Sequence, residues 1–99
     1  MNIPKPEVEE IQPKIAIYPG TFDPITMGHM DIVERATELF DKVIVALARN
    51  PAKTTLFTLE ERLEMVRKCF PKNNKVEVVA VQGLVVDYAN SVGANVLIK

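Results

Sequence analysis

Tyr18-Pro-Gly-Thr-Phe-Asp-Pro-Ile-Thr-Met-Gly-His29 is the stretch from which the fold can be read. It follows the apolar run Ile15-Ala-Ile-Tyr18 and precedes a helical pattern. Pro19-Gly20 ends the run, and Asp23-Pro24 makes a second turn, because the residue before a proline is kept out of the helical region. A helix can therefore start only after Pro24. From Met27 onward Ile32, Val33, Ala36, Leu39 and Phe40 recur at helical spacing. That spacing predicts a helix from about Gly28 to Phe40, with Gly28 and His29 in or beside its first turn. A first turn offers free amide donors and the positive end of the helix dipole. With the Thr21 hydroxyl and the His29 imidazole added, the stretch reads as a phosphate-binding turn of neutral donors, without Walker or G-x-G-x-x-G spacing.

Upstream, Lys14 to Tyr18 is the first predicted strand, and its apolar character predicts burial on both faces, as in a parallel sheet. Downstream, Asp41-Lys42 turns into Val43-Ile-Val-Ala-Leu-Ala48, a second buried strand, which completes a β-α-β unit. Arg49 to Phe57 is a polar loop carrying Lys53. Thr58-Leu-Glu-Glu61 then has the form of a capping box. In the helix that follows, Leu59, Leu63, Val66 and Phe70 form the buried stripe until Pro71 stops it. Glu60, Glu61, Arg62, Glu64, Arg67 and Lys68 read as its solvated face. Val76 to Val81 is a third strand, Leu84 to Val92 a short helix closed by Gly93, and Asn95 to Ile98 a fourth strand.

The predicted fold is thus α/β, a Rossmann-like open parallel sheet with the order β-α-β-α-β-α-β over residues 14–99. Residues 1–13 hold three of the seven prolines and too few apolar residues for a buried face, which predicts a flexible tail. The 99 residues suit one domain. Twelve basic against thirteen acidic residues give a net charge of -1, which leaves no footprint for nucleic acid or an anionic membrane. Cys69 is the only cysteine, so neither an internal disulfide nor a cysteine metal cluster can form, and it reads as a packing residue. No apolar run reaches the ~20 residues that span a bilayer, and a cytoplasmic location is expected.

Ligands of open α/β sheets bind beyond the carboxyl ends of the strands. That edge gathers Gly20 to His29, Arg49 to Lys53, Gln82 to Val85 and Lys99, a mixture of hydroxyl, imidazole, cations and apolar wall suited to a phosphorylated ligand. By residue type alone His29 is equally a capping histidine, Lys53 a solvated loop charge, and Leu84 and Val85 helix-start core residues. Asp23, just before Pro24, is expected to bond turn amides, not a metal.

The stretch from Tyr18 through Ile32 resembles the signature of bacterial phosphopantetheine adenylyltransferases, nucleotidyltransferases with a T/H-x-G-H motif. The resemblance extends through Asn50-Pro51-Ala52-Lys53, Phe57-Thr-Leu-Glu-Glu-Arg62, Leu84-Val-Val-Asp-Tyr-Ala89 and Ala94-Asn-Val-Leu-Ile98. It implies adenylyl transfer from ATP to 4'-phosphopantetheine, giving dephospho-coenzyme A and pyrophosphate by direct in-line attack. It also implies roles: His29 stabilises the transition state, Thr21 orients the attacking phosphate, and Thr21, Phe22 and His29 touch ATP. Lys53, Val85 and Lys99 would bind the substrate, Lys99 standing where the family has arginine. Mg2+ would accompany ATP without dedicated protein ligands, and a homo-oligomer, a hexamer in the family, is implied. The family continues beyond the position of Lys99 into a serine-rich triphosphate-gripping loop, so a longer parent chain is expected. The alternatives are a related enzyme acting on nicotinate mononucleotide or using CTP, and a non-catalytic binding fragment.

Overall fold

In a computed structural model the protein is described over residues 12–50 and 53–99. The expectation of a flexible tail over residues 1–13 lies almost wholly outside the described residues, as do Pro51 and Ala52. Seven elements follow in order: β1 (Ile15–Gly20), α1 (Met27–Leu39), β2 (Lys42–Ala48), α2 (Leu59–Cys69), β3 (Val76–Val81), α3 (Val85–Val92) and β4 (Val96–Leu97). The alternation matches the expected one. All strands pair in parallel in the order β3-β2-β1-β4.

The alternation of side chains along each strand divides the core between the two sheet faces. On one face Tyr18, Val43, Val45 and Leu47 pack with Val33 and Ala36 of α1 and Val66 of α2. On the other, Ile17, Ile44, Ala46 and Val81 pack with Ala89 of α3. Helices α1 and α2 thus share one face while α3 crosses the other. That division follows from chain direction: β1-β2-β3 advances one way across the sheet, and the connection through α3 returns past β1 to β4, so a crossover of constant hand changes face. Chain direction therefore reverses between β1 and β4, the switch point at which open α/β sheets bind ligands. Since Ile17 is level with Leu97, Lys99 lies level with Pro19 at the same sheet edge.

Strand β1 runs two residues further than its apolar pattern predicts, with Pro19 opposite Ala46 and Gly20 opposite Leu47. The carbonyls of Ile15 and Ile17 accept from Asn95 and Ile98, so Pro19, in the same phase, turns its nitrogen toward β4. Pairing with β4 stops at Ile17 among the described residues, so the missing proline N–H leaves no ladder bond unmade. Gly93 closes α3 at φ 70, the left-handed conformation that favours glycine. The Thr58 capping box forms as expected, with Thr58 Oγ1 accepting from Glu61 N and the Glu61 carboxylate accepting from Thr58 N. Cys69 is half-buried against the first core, and burial pushes its thiol pKa up, in keeping with a packing residue.

The larger correction concerns α2. Arg62, expected on the solvated face, is 4% exposed. It lies three residues after Leu59 and four before Val66, on the stripe that faces the sheet, and helical spacing outweighs residue type once its guanidinium finds carbonyl partners.

Candidate active site

At the carboxyl end of β1 the backbone of Phe22 takes φ 50, a conformation unusual for a bulky side chain. It is held by packing. The Phe22 ring is buried, meets Tyr18 edge-on at 5.3 Å between centroids and His29 at 5.0 Å. Gly20 is required beneath it, because a Cβ there would come within 2.9 Å of the Phe22 ring. Thr21 is thereby held at the turn between β1 and the buried ring. Asp23-Pro24, the expected second turn, contains a cis peptide bond.

The helix begins one residue earlier than predicted because Thr26 caps it. The Thr26 hydroxyl accepts from His29 N at 3.3 Å, and His29 Nδ1 accepts from Thr26 N at 3.0 Å. This is a capping box with histidine in the position usually held by glutamate or glutamine, and the unusual residue is why the sequence did not announce it. The capping reading of His29 holds: Nδ1 caps, and because it accepts an N–H the ring proton sits on Nε2, a donor with no partner among the described residues. No acidic residue lies in the first turn of α1, so nothing there offsets its positive end. Thr26→Ala is expected to destabilise the fold by about 1 kcal/mol through loss of this cap. Urea denaturation would register it, and an unchanged midpoint would mean that the box contributes nothing.

The loop after β2 meets the turn from the other side. Lys53 Nζ donates to Thr21 Oγ1 at 3.2 Å, joining the two segments. Arg62 Nη1 donates to the Thr21 carbonyl at 2.8 Å and Nε to the Phe57 carbonyl at 3.2 Å. Asp23 is structural, as expected, but its partners are not local turn amides. Its carboxylate accepts from Leu56 N at 2.6 Å and Phe57 N at 2.9 Å, more than thirty residues along the chain. With both oxygens taken, Asp23 latches the loop onto the turn. Asp23→Ala should leave two amides unpaired and cost about 1–3 kcal/mol, again read from urea denaturation; a loss below a few tenths would refute the latch.

These contacts enclose a cleft of about 200 Å³ lined by Thr21, Ala48, Arg49, Asn50, Lys53, Thr55 and Arg62. Three of the seven are cationic and none is acidic. The volume suits a phosphate group and its neighbouring atoms better than a whole nucleotide, whose sites run to roughly 300–1,000 Å³.

Of the residues singled out from sequence, Thr21 and Lys53 converge in the cleft, while Phe22, next in the chain after Thr21, packs against His29 and neither of these two lines the cleft. Val85 opens α3 beyond β3, half-buried against the second core, and does not line the cleft. Leu84, expected as core, is 71% exposed at the N-cap of α3. Lys99 is exposed beyond β4. Sequence reasoning passed over Thr26 and Arg62; the spacing of Arg62 from Leu59 and Val66 was the available signal.

Residues 17–99 match the family described as cytidylyltransferase-like. The chain is 54% identical over 86 residues to the phosphopantetheine adenylyltransferase of Carboxydothermus hydrogenoformans, covering 87% of this chain and 53% of that protein. The proteins of the same name from Gloeobacter violaceus and Geobacter sulfurreducens are 54% and 51% identical, over 86% and 87% of this chain and 53% and 52% of theirs. The chain thus spans about half the length of these curated relatives. The fold is shared with the crystal structure of a lipopolysaccharide core biosynthesis protein from Thermoplasma volcanium, at TM-score 0.65 and 19% identity over 87% of this chain and 73% of that one. A turn beyond β1 of a parallel sheet and a histidine-capped first helix are the local features of a chain that, by the match over residues 17–99, belongs to the cytidylyltransferase-like family.

Proposed function

We propose that this chain carries the acceptor side of a phosphopantetheine adenylyltransferase site, which transfers the adenylyl group of ATP to 4'-phosphopantetheine. The observation that carries the proposal is the 3.2 Å contact between Lys53 Nζ and Thr21 Oγ1, which aims a cation and a hydroxyl into one small cleft beside His29.

In the reaction an oxygen of the acceptor phosphate attacks the α-phosphorus of ATP. A new P–O bond forms as the bond to pyrophosphate breaks, and the electron pair leaves with pyrophosphate. The attacking oxygen already carries charge, so the chain needs to supply position and charge stabilisation, not a base. Lys53 and Thr21 hold and orient the acceptor phosphate. The free Nε2–H of His29 donates to an α-phosphate oxygen as negative charge develops there. Phe22 supplies an apolar wall beside ATP, and Val85 and Lys99 extend the substrate contacts along the sheet edge. Mg2+ entering with ATP would supply neutralising charge, and Asp23, whose carboxylate is occupied by two amides, would not hold it. The whole protein is proposed to work as a homo-oligomer in the cytoplasm. Among the described residues no helix is long and apolar enough to cross a membrane.

Calorimetric titration tests the acceptor. Saturable heat with 4'-phosphopantetheine and none with nicotinate mononucleotide is the expected result, and the reverse pattern overturns the proposal. Pyrophosphate release with ATP but not CTP would identify the donor.

A further inference from the structure

Among the described residues the buried guanidinium of Arg62 has no counter-ion. The ion pairs among the described residues are Arg35–Asp31, Lys42–Glu77 and Lys68–Glu64. None includes Arg62, although it is 96% buried by its 4% exposure. Burying a charge without a partner is costly, so buried arginines normally sit against carboxylates. Here Nε and Nη1 are turned to the carbonyls of Phe57 and Thr21, which are dipoles and not charges. Nη2 makes no hydrogen bond to protein among the described residues. No fully enclosed side-chain nitrogen or oxygen there lacks a partner, so Nη2 keeps some accessible surface, and the cleft is an opening that Arg62 lines.

We infer that Arg62 is a phosphate-contacting residue, whose missing counter-ion is the phosphate monoester of the acceptor. The inference rests on the adenylyltransferase proposal for the same cleft and adds a contact to it. Two further observations support it. The cleft contains no carboxylate to compete for the guanidinium. The Nη1 bond to the Thr21 carbonyl also ties Arg62 to the residue whose hydroxyl meets Lys53, so one anion can be shared between a point charge, a hydroxyl and a planar fork. A purely structural clasp on two carbonyls needs no formal charge, and a neutral amide would serve it without the desolvation cost.

Arg62→Gln and Arg62→Lys, titrated with 4'-phosphopantetheine, with pantetheine lacking the phosphate, and with inorganic phosphate, test the inference. Arg62→Gln should weaken phosphopantetheine binding about ten- to a hundredfold, as for loss of a charge-assisted hydrogen bond, and leave pantetheine binding unchanged. Arg62→Lys should fall between wild type and Arg62→Gln. Equal weakening of both pantetheine ligands would mean that Arg62 only shapes the loop, and undiminished phosphopantetheine binding by folded Arg62→Gln would remove the contact altogether. If Arg62→Gln does not fold, a folded Arg62→Lys with wild-type affinities for inorganic phosphate and phosphopantetheine overturns the fork contact, and a selective loss of phosphate affinity supports it. Wild-type protein that binds inorganic phosphate through Arg62 but rejects phosphopantetheine would uphold the contact and overturn the acceptor assignment. Folded wild type that binds neither would overturn both.

Discussion

In the whole protein, under the proposed adenylyltransferase function, replacing His29 by alanine is expected to lower adenylyl transfer by roughly 10²- to 10³-fold, the usual cost of removing one preorganised donor from a transition state. The expectation follows from how the imidazole is held. Its Nδ1 is bonded by the Thr26 amide at 3.0 Å, and its ring is wedged against Phe22 at 5.0 Å, so Nε2–H has a fixed direction before any substrate arrives. A donor that need not reorganise contributes most when charge develops. The loss should therefore appear in kcat, with the KM for phosphopantetheine little changed, because Lys53 and Thr21 do the holding. Steady-state pyrophosphate release separates the two. Unchanged kcat would refute the role of His29. A loss confined to KM would make it a binding residue. Thr26→Ala serves as the control, since it weakens the same helix start while keeping the imidazole.

Leu47→Ala is expected to cost about 2–5 kcal/mol of stability, the range for truncating a fully enclosed leucine. Leu47 has no exposed surface and stands opposite Gly20 in the sheet, packed in the same core as Tyr18 and Phe22. Its removal would leave a cavity under the turn that carries Thr21. A denaturant midpoint moved by less than ~1 kcal/mol would indicate that neighbouring chains close the gap. Leu39→Ala is the matching reference: at 73% exposure it should change stability by no more than about 0.5 kcal/mol.

Several features needed no coordinates. Val43 to Ala48 could only be a buried strand, since its β-branched, unbroken apolar run leaves no polar face, and the structure buries Val43 to Leu47 completely or nearly so. Thr58 and Glu61 marked the start of α2 three residues apart, because their side chains satisfy each other's amides within one turn. Pro71 and Gly93 closed their helices through backbone chemistry that is local by nature. The turn before α1 was legible for the same reason: Pro24 forbids an earlier helix, so the first-turn amides had to fall near Gly28 and His29.

What escaped the sequence depended on distant partners. Asp23 looked like a turn residue because the amides it meets, Leu56 and Phe57, lie in another loop. Arg62 looked solvated because residue type carries no record of the Thr21 carbonyl waiting forty-one residues upstream. Lys53 looked like a solvated loop charge as much as a site residue because its partner, the Thr21 hydroxyl, lies thirty-two residues upstream.

The sequence by itself therefore determined the alternation of strands and helices, the place of the turn between β1 and α1 and the lineage that its motifs resemble, since each rests on residues a few positions apart. Only the tertiary structure decided that α3 crosses the sheet on the opposite face from α1 and α2, and that Arg62 closes the cleft. Those outcomes are set by the return of the chain past β1 and by the need of a buried charge for partners, which are properties of the assembled sheet and not of any one segment.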